Sequence, residues 1–563
     1  MNSDTNYWLR GRRLSRRRVV AGAGVAIAGT SVVLAGCGGD SSPETTPASG
    51  SPGTTQSPAA GSSPTSPPTP KTGGTLRLSY SGSDAHLSPV HTGGFDFSFV
   101  DSTMYEYMWG TSTEGTKLTV NFRQAASVEQ PTDDTYLIHL SPDAFFQDIA
   151  PVSGRPTSAE DVKMLCDYIA ADKTVFARQF LATAVDSVSA VDEKTVQVKT
   201  KGVQADFYDG GVGFNRPLVP KELTAQGDMT KVEPIGSGPW QFDSQTHGSF
   251  LEVVRFPKWR VSGQPYIDKV RRTLISDEAA RETAFRGGQL DVIEPSNYQM
   301  YTSLTKDMGN QVSGFARPSV PIGFSMNGQR ATFDDPRVRE AIHRAIDFKK
   351  LLEVVAFGQG KLCGVVGPDL AAFALPESEL GDYLKFDPAA AKQLLQQSGF
   401  DLGKSYDFVT RPDVAVYQAL TPLIQQMLQD VGLKINVVAV PQAQFQQRTF
   451  PKPGDFDFTF AFMGANIGRV LLDHATESGG AKQCFGNKDP EYDQLLAKAS
   501  ATLDADARTQ IYLQAQKRLL EIWPISFPLY SPDRFFISRK ELMGIDQSLA
   551  ITYSQQPQEW FDK

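Results

Sequence analysis

The chain has little of what most metalloenzymes, hydrolases and nucleic-acid binders are built with. Its 563 residues hold only four cysteines and six histidines. No Cys-x-x-Cys and no His-Glu-x-x-His occurs, so the usual spacings for a structural zinc or a zinc hydrolase are missing. Gly-x-Ser-x-Gly is absent too, which removes the nucleophile elbow of a serine hydrolase. Gly399-Phe400-Asp401-Leu402-Gly403-Lys404-Ser405 imitates a phosphate loop but has one residue too few between its glycines, and it follows a helical stretch. Positive charge is scarce: the net charge is −8 and no basic stripe occurs, which argues against nucleic acid as a partner. Between residues 38 and 72 there is no Val, Leu, Ile or aromatic residue. A segment of Ser, Thr, Pro, Gly and Ala buries too little apolar surface to offset ordering, so 37–72 is expected to be a disordered tether.

What precedes the tether is informative. Ser15-Arg16-Arg17-Arg18 leads into an apolar run over 19–34, and Leu34-Ala35-Gly36-Cys37 closes it. A basic start, an apolar centre and a small-residue end form a secretory signal peptide over 1–36. Leu-Ala-Gly-Cys resembles a bacterial lipobox, in which Cys37 is acylated and becomes the first residue of the mature chain. The arginines before Val19 and Val20 resemble a twin-arginine export motif, with general export as the other route. Gly22, Gly24, Gly29 and Thr30 interrupt the run where a spanning helix wants unbroken bulk. The expected place of work is therefore the outer face of a bacterial cell membrane, by a lipid anchor at Cys37. Removing 1–36 takes away six arginines and one aspartate, moving the net charge from −8 to −13. Of the remaining cysteines, Cys166 sits in an apolar helical stretch and reads as buried. Cys363 and Cys484 both fall in loops, and an exported compartment permits a disulfide between them.

From 73 to 563 the sequence is ordinary globular protein, in which strand-like and helical patterns alternate, as in an α/β fold. Thr75–Tyr80 and Thr135–Leu140 read as strands, and 188–191 with 195–199 as a hairpin. Thr157-Ser158-Ala159-Glu160 has capping-box spacing and predicts a helix over 158–171. Asp387-Pro388 opens a helix that Gly399 closes. A helix over 420–431 ends at Gly432, and a strand follows over 434–440. Between Phe333 and Gly360, Asp334-Asp335-Pro336 caps one helix and Asp347 starts a second that ends at Gly358, with Val338, Ile342, Ala345 and Ile346 as the apolar stripe.

Phe333-Asp334-Asp335-Pro336-Arg337-Val338-Arg339-Glu340-Ala341-Ile342, followed by Ala345-Ile346-Asp347, resembles the signature of extracellular solute-binding protein family 5, the oligopeptide-, dipeptide- and nickel-binding components of ABC importers. In the family's order come Asp134-Thr135-Tyr136 with Pro156-Thr157-Ser158, then Val191-Asp192-Glu193-Lys194-Thr195-Val196. Gly236-Ser237-Gly238-Pro239-Trp240, Phe285-Arg286-Gly287-Gly288-Gln289-Leu290-Asp291 and the tail Trp523-Pro524-Ile525-Ser526-Phe527-Pro528-Leu529-Tyr530 complete the set.

The resemblance implies a two-lobed clamshell of periplasmic-binding-protein type II. Lobe I is expected from 73–118, 189–317 and 521–563, with 119–188 as its extra subdomain and 318–520 as lobe II. It implies a monomer that traps a small molecule or peptide between its lobes. The permease subunits of an ABC importer are the partner, and no metal, cofactor or catalysis is expected. The loop after the first strand faces the cleft in such folds, so Gly93, Gly94 and Phe95 are candidate contacts, with His86 and His91 nearby. The run Phe456-Asp457-Phe458-Thr459-Phe460-Ala461-Phe462-Met463 alternates as a strand with one apolar face. Peptide binders continue it into Gly-Trp-x-x-Asp, whose acid pairs with the peptide α-ammonium. Phe462, Met463, Gly464 and Asn466 stand here, a neutral amide in place of the acid. Burying a cation without a counter-charge is costly, so an uncharged ligand fits unless another carboxylate serves. Pro295-Ser296-Asn297, Arg411-Pro412-Asp413, Trp109 and Trp240 are further candidates, the tryptophans equally for the core. Two other readings remain open: a secreted lipoprotein hydrolase, which would turn a solute over, and a ligand-sensing lipoprotein on the same fold, which would lack a permease partner.

Overall fold

The computed structural model describes residues 69–562 apart from 82–84, 92–98, 101–102, 115–116, 173–174, 176–177, 209–213, 451, 463–466, 477–483 and 546–558. Cys37, Gly93, Gly94, Phe95, Met463, Gly464 and Asn466 lie outside the described residues, as do the signal peptide and the tether to residue 68.

Three sheets carry the fold. The first orders Thr75–Tyr80, Lys269–Leu274, Phe250–Arg255 and Trp240–Thr246, with only its first pair parallel. The second is antiparallel, in the order Ala125–Thr132, Thr135–Leu140, Thr195–Thr200 and Val185–Ala190, and helix Ala159–Ala171 packs on it. One core joins the two, with Leu76, Ile138, Val196, Val253 and Val270 all at 1% exposure or less. Each such side chain adds about 1.5–3 kcal/mol on burial. Gly236 and Gly238 make this packing possible. A Cβ on Gly236 would stand 2.0 Å from the carbonyl oxygen of Met104, and one on Gly238 2.4 Å from that of Thr103. The motif's glycines thus let two backbones touch, and Trp240 beyond them is buried with its indole N–H on the Ile267 carbonyl.

The third sheet belongs to the other lobe. Strand Phe458–Phe462 runs antiparallel to Ile322–Met326 and parallel to Ser405–Thr410, which pairs in parallel with Lys434–Ala439. Phe458 and Phe460, at 0% and 1% exposure, stack on Phe324 and Tyr417. On that alternating strand Phe458 and Phe460 are therefore core, not ligand lining. Helices Pro336–Ala345, Phe348–Val355 and Ala415–Asp430 cover the sheet. Asp335 and Asp347 accept from the first-turn N–H groups of Arg337 and Lys350, as the caps predict. Helix Ala415–Asp430 begins five residues earlier than its pattern suggests, with Pro422 inside it.

The long strand Ser526–Arg539 ties the lobes together. Ser526–Tyr530 pairs with Ile322–Met326 in the second lobe, and 533–539 pairs with Val312–Pro318 in the first. The chain thus crosses between lobes at 318–322 and again near 531. The second crossing was expected at 520/521, but Phe527, Leu529 and Tyr530 sit in the second-lobe core. The expected division at 188/189 likewise falls inside Val185–Ala190, whose partner Thr195–Thr200 pairs with Thr135–Leu140. The capping box also sits one residue later: Ser158 donates to the Asp161 carboxylate from its backbone N–H at 2.8 Å. Asp161, fully buried, wins this role because Arg155 holds it at 2.6 and 2.9 Å.

Cys363 and Cys484 do not pair. Both are buried, and neither is in a disulfide. Cys484 packs with Phe456 and Phe485, whereas Cys363 lies beside Asp369 and Tyr383, and burial pushes its thiol up. Loop position alone could not say that the two thiols would stay unbridged.

Candidate functional site

A cavity of about 1000 Å³ opens between the lobes, with the crossing strand as its floor. Its first-lobe wall is polar and comes from the ends of Thr75–Tyr80 and Val292–Ile293, including Ser79, Tyr80, Ser296 and Asn297. Asn297 is fixed by its own helix: its side chain accepts from Met300 N–H at 2.9 Å. The second-lobe wall is apolar, with Val354 in the last turn of helix Phe348–Val355, Phe357 just after it, and Val416, Ala419 and Leu423 on helix Ala415–Asp430. Val354 and Phe357 are 51% and 40% exposed, unusual for such side chains. Phe357 also holds a φ of 54°, a conformation that costs a non-glycine residue of order 1 kcal/mol or more and recurs at ligand clamps.

The strand Gly360–Lys361 then pairs with Ser531 and Pro532. A Cβ on Gly360 would lie 2.3 Å from the Ser531 carbonyl oxygen, so glycine is required for this approach.

The charged groups of the lining divide sharply. Arg534 and Glu294 form a two-bond pair at 2.6 and 2.9 Å. Arg281 donates to the carbonyls of Ile275 and Ser276. Arg272, 3% exposed, donates to the Ser79 carbonyl and lies over the Phe99 ring at 4.8 Å. Asp533 is different: among the described residues its carboxylate has no hydrogen bond and no ion pair, and burial raises its pKa against the opposing pull of Lys361. Tyr530 is fully buried and its hydroxyl has no partner among the described residues.

A second contact between lobes lies away from this floor. Tyr512, on helix Ala505–Ile522, donates to Asp206 at 3.0 Å, and Ala205 N–H donates to the Ser500 carbonyl at 2.8 Å. Burial raises the pKa of Asp206, with Arg508 opposing.

Of the contacts expected from sequence, Pro295-Ser296-Asn297 line the cavity. Phe462 ends its strand opposite Ile322, itself a lining residue. Arg411 and Asp413 pair with each other at 2.6 Å and stand outside the lining, which the helix after them enters instead. Trp109 is core, its indole N–H on the Tyr208 carbonyl. His91 is buried between Ser88 at 2.7 Å and Asp172 at 3.0 Å, with His86 beside it. No group of three candidate metal ligands converges among the described residues. Tyr530, Asp533 and Phe357 were not foreseen. The tail motif and the Phe357-Gly358 step were visible, but not that both edge one cavity.

Among the described residues no helix is long and apolar enough to cross a membrane. Residues 120–470 match the profile described as bacterial extracellular solute-binding proteins, family 5 Middle. The glutathione-binding protein GsiB of Shigella flexneri serotype 5b (strain 8401) is 26% identical over 404 residues, covering 68% of this chain and 75% of that protein. Two solved structures share the fold. The oligopeptide-binding protein AppA from Bacillus subtilis, in complex with a nonapeptide, aligns with a TM-score of 0.73 at 19% identity, over 88% of this chain and 100% of that one. The binding protein AgaA from A. tumefacien R10, in complex with agropinic acid, gives 0.73 at 23% identity, over 87% and 99%.

Proposed function

The chain belongs to the bacterial extracellular solute-binding proteins of family 5, and from that premise we propose that it captures a small peptide or peptide-like solute between its lobes and delivers it to the permease subunits of an ABC importer. Its α/β fold is the two-lobed clamshell of the type II periplasmic binding proteins. One observation supports the reading most: a cavity of about 1000 Å³ is walled by both lobes and floored by the strand that joins them. A solute there gains contacts from both sides and favours the closed hinge, the form a permease would distinguish from the empty one.

Gly93, Gly94 and Phe95 would contribute from the first lobe, and Phe462, Met463, Gly464 and Asn466 from the second. The pairing of Phe462 with the lining residue Ile322 supports the second group. The protein would bind without turnover, as a monomer, held to the outer membrane face by acylated Cys37 and lifted by the 37–72 tether. Its divisions would be 119–200 for the extra sheet, 73–118, 201–317 and 531–563 for the rest of the first lobe, and 318–530 for the second.

Native mass spectrometry of the purified protein tests the site. A co-purified small molecule is expected, with loss of that mass in Asn466→Ala or Phe462→Ala. Unchanged retention in both variants would move the site elsewhere.

A further inference from the structure

We propose that the solute carries a protonated amine and that Asp533, on the strand joining the lobes, is its counter-charge. This rests on the solute-binding reading above and names the ligand class. Among the described residues, five charged side chains line the cavity: Arg272, Arg281, Glu294, Asp533 and Arg534. The two-bond pair satisfies Glu294 and Arg534, and backbone carbonyls engage Arg281 and Arg272. Asp533 alone has neither an ion pair nor a side-chain hydrogen bond among the described residues, although its backbone N–H is used by the Gln359 carbonyl. A half-buried carboxylate left unpaired is unfavourable, and an ammonium is the ligand group that relieves it.

Tyr298 and Phe535, whose ring centroids lie 5.5 Å apart in the same lining, are aromatic groups of the kind that also favour a cation. Tyr530, three residues earlier on the same strand and also in the lining, keeps an unspent hydroxyl. Opposite stands the apolar wall of Val354, Phe357, Val416 and Leu423, which suits an aliphatic or aromatic side chain on the same solute. The class is thus a hydrophobic amine-bearing solute such as a short peptide with a free N-terminus. The acid that peptide binders place at the position of Asn466 is replaced, on this account, by one on the floor.

Two probes separate the possibilities by calorimetry: Leu-Phe-amide, which has a free amine, and N-acetyl-Leu-Phe-amide, which has none. The wild-type protein is expected to bind the free amine roughly tenfold tighter, one charge-assisted hydrogen bond's worth. Asp533→Asn should bring that ratio to about one by weakening only the amine probe, and Asp533→Glu should restore part of it. Ala419→Trp, at an exposed position on the cavity wall, should weaken both probes without touching the core.

Equal binding in the wild type, or a ratio that survives Asp533→Asn, overturns the assignment. If neither probe binds while native mass spectrometry still finds a co-purified solute, this inference falls and the solute-binding reading stands. If no solute is found either, that reading falls with it.

Discussion

Arg339 shows how much of a recognisable motif is structural. Its guanidinium donates to the carbonyls of Ile522, Trp523, Phe333 and Asp334, at 2.6–3.1 Å, and so closes the C-terminal end of helix Ala505–Ile522. Helix ends leave carbonyls without partners, and an arginine fork satisfies several at once. Arg339→Ala should therefore lower stability by about 2–3 kcal/mol, read from the urea midpoint; an unchanged midpoint would mean that water replaces the fork at no cost. Asp291, also from a motif, is fully buried and held by Arg77 through its side chain at 2.6 and 3.0 Å and its backbone N–H at 2.7 Å. Arg539 N–H meets the Asp291 carbonyl at 2.8 Å, so this one residue links the first strand to the end of the strand that joins the lobes. Neither residue is itself part of the cavity lining. Motif residues marked the fold in this chain, while the lining residues with unspent polar groups, Tyr530 and Asp533, stand at or beyond the motif's last position.

At the scale of elements, helix starts were legible because caps are local. Asp335, Asp347 and Asp387 each accept a first-turn N–H, as aspartate before a helix does. Where two neighbouring groups compete for a cap the sequence is ambiguous. Ser158 with Asp161 took the place expected of Thr157 with Glu160 because Arg155 and the Lys221 backbone N–H also hold Asp161. The glycine motif at 236–238 is an element-level constraint, since it sets how closely one segment approaches another. Gly236→Ala should cost about 2–3 kcal/mol, seen as a clear fall in melting temperature. A wild-type melting curve would show that the Met104 segment yields freely. The strand Phe458–Phe462 carries the reverse lesson. Its alternation was visible, but a strand paired on both sides, with Thr459 and Ala461 buried on its other face, spends Phe458 and Phe460 on the core.

For the whole molecule, the contact between Tyr512 and Asp206 bears on the open–closed balance. Tyr512→Phe removes a hydrogen bond worth about 1 kcal/mol, roughly a fivefold shift toward open forms. Small-angle X-ray scattering should then give a larger radius of gyration. Asp206→Asn should act in the opposite direction. The amide still accepts from the tyrosine, while the cost of burying a charge, which raises this carboxyl's pKa despite Arg508, disappears. An unchanged radius in both variants would show that the contact does not govern the hinge. The reading of 520/521 as a crossing failed at this scale, because only strand pairing shows that Ser526–Tyr530 completes the second-lobe sheet before the chain leaves it.

The sequence by itself determined the alternation of strands and helices, most of the caps and the family. These depend on residues close in the chain or on motifs in order, which a linear reading preserves. Tertiary structure alone decided where the lobes exchange strands, that Cys363 and Cys484 do not form a disulfide, and that Tyr530 and Asp533 face one cavity with Phe357. Those facts depend on distances between residues far apart in sequence, and no local periodicity encodes such distances.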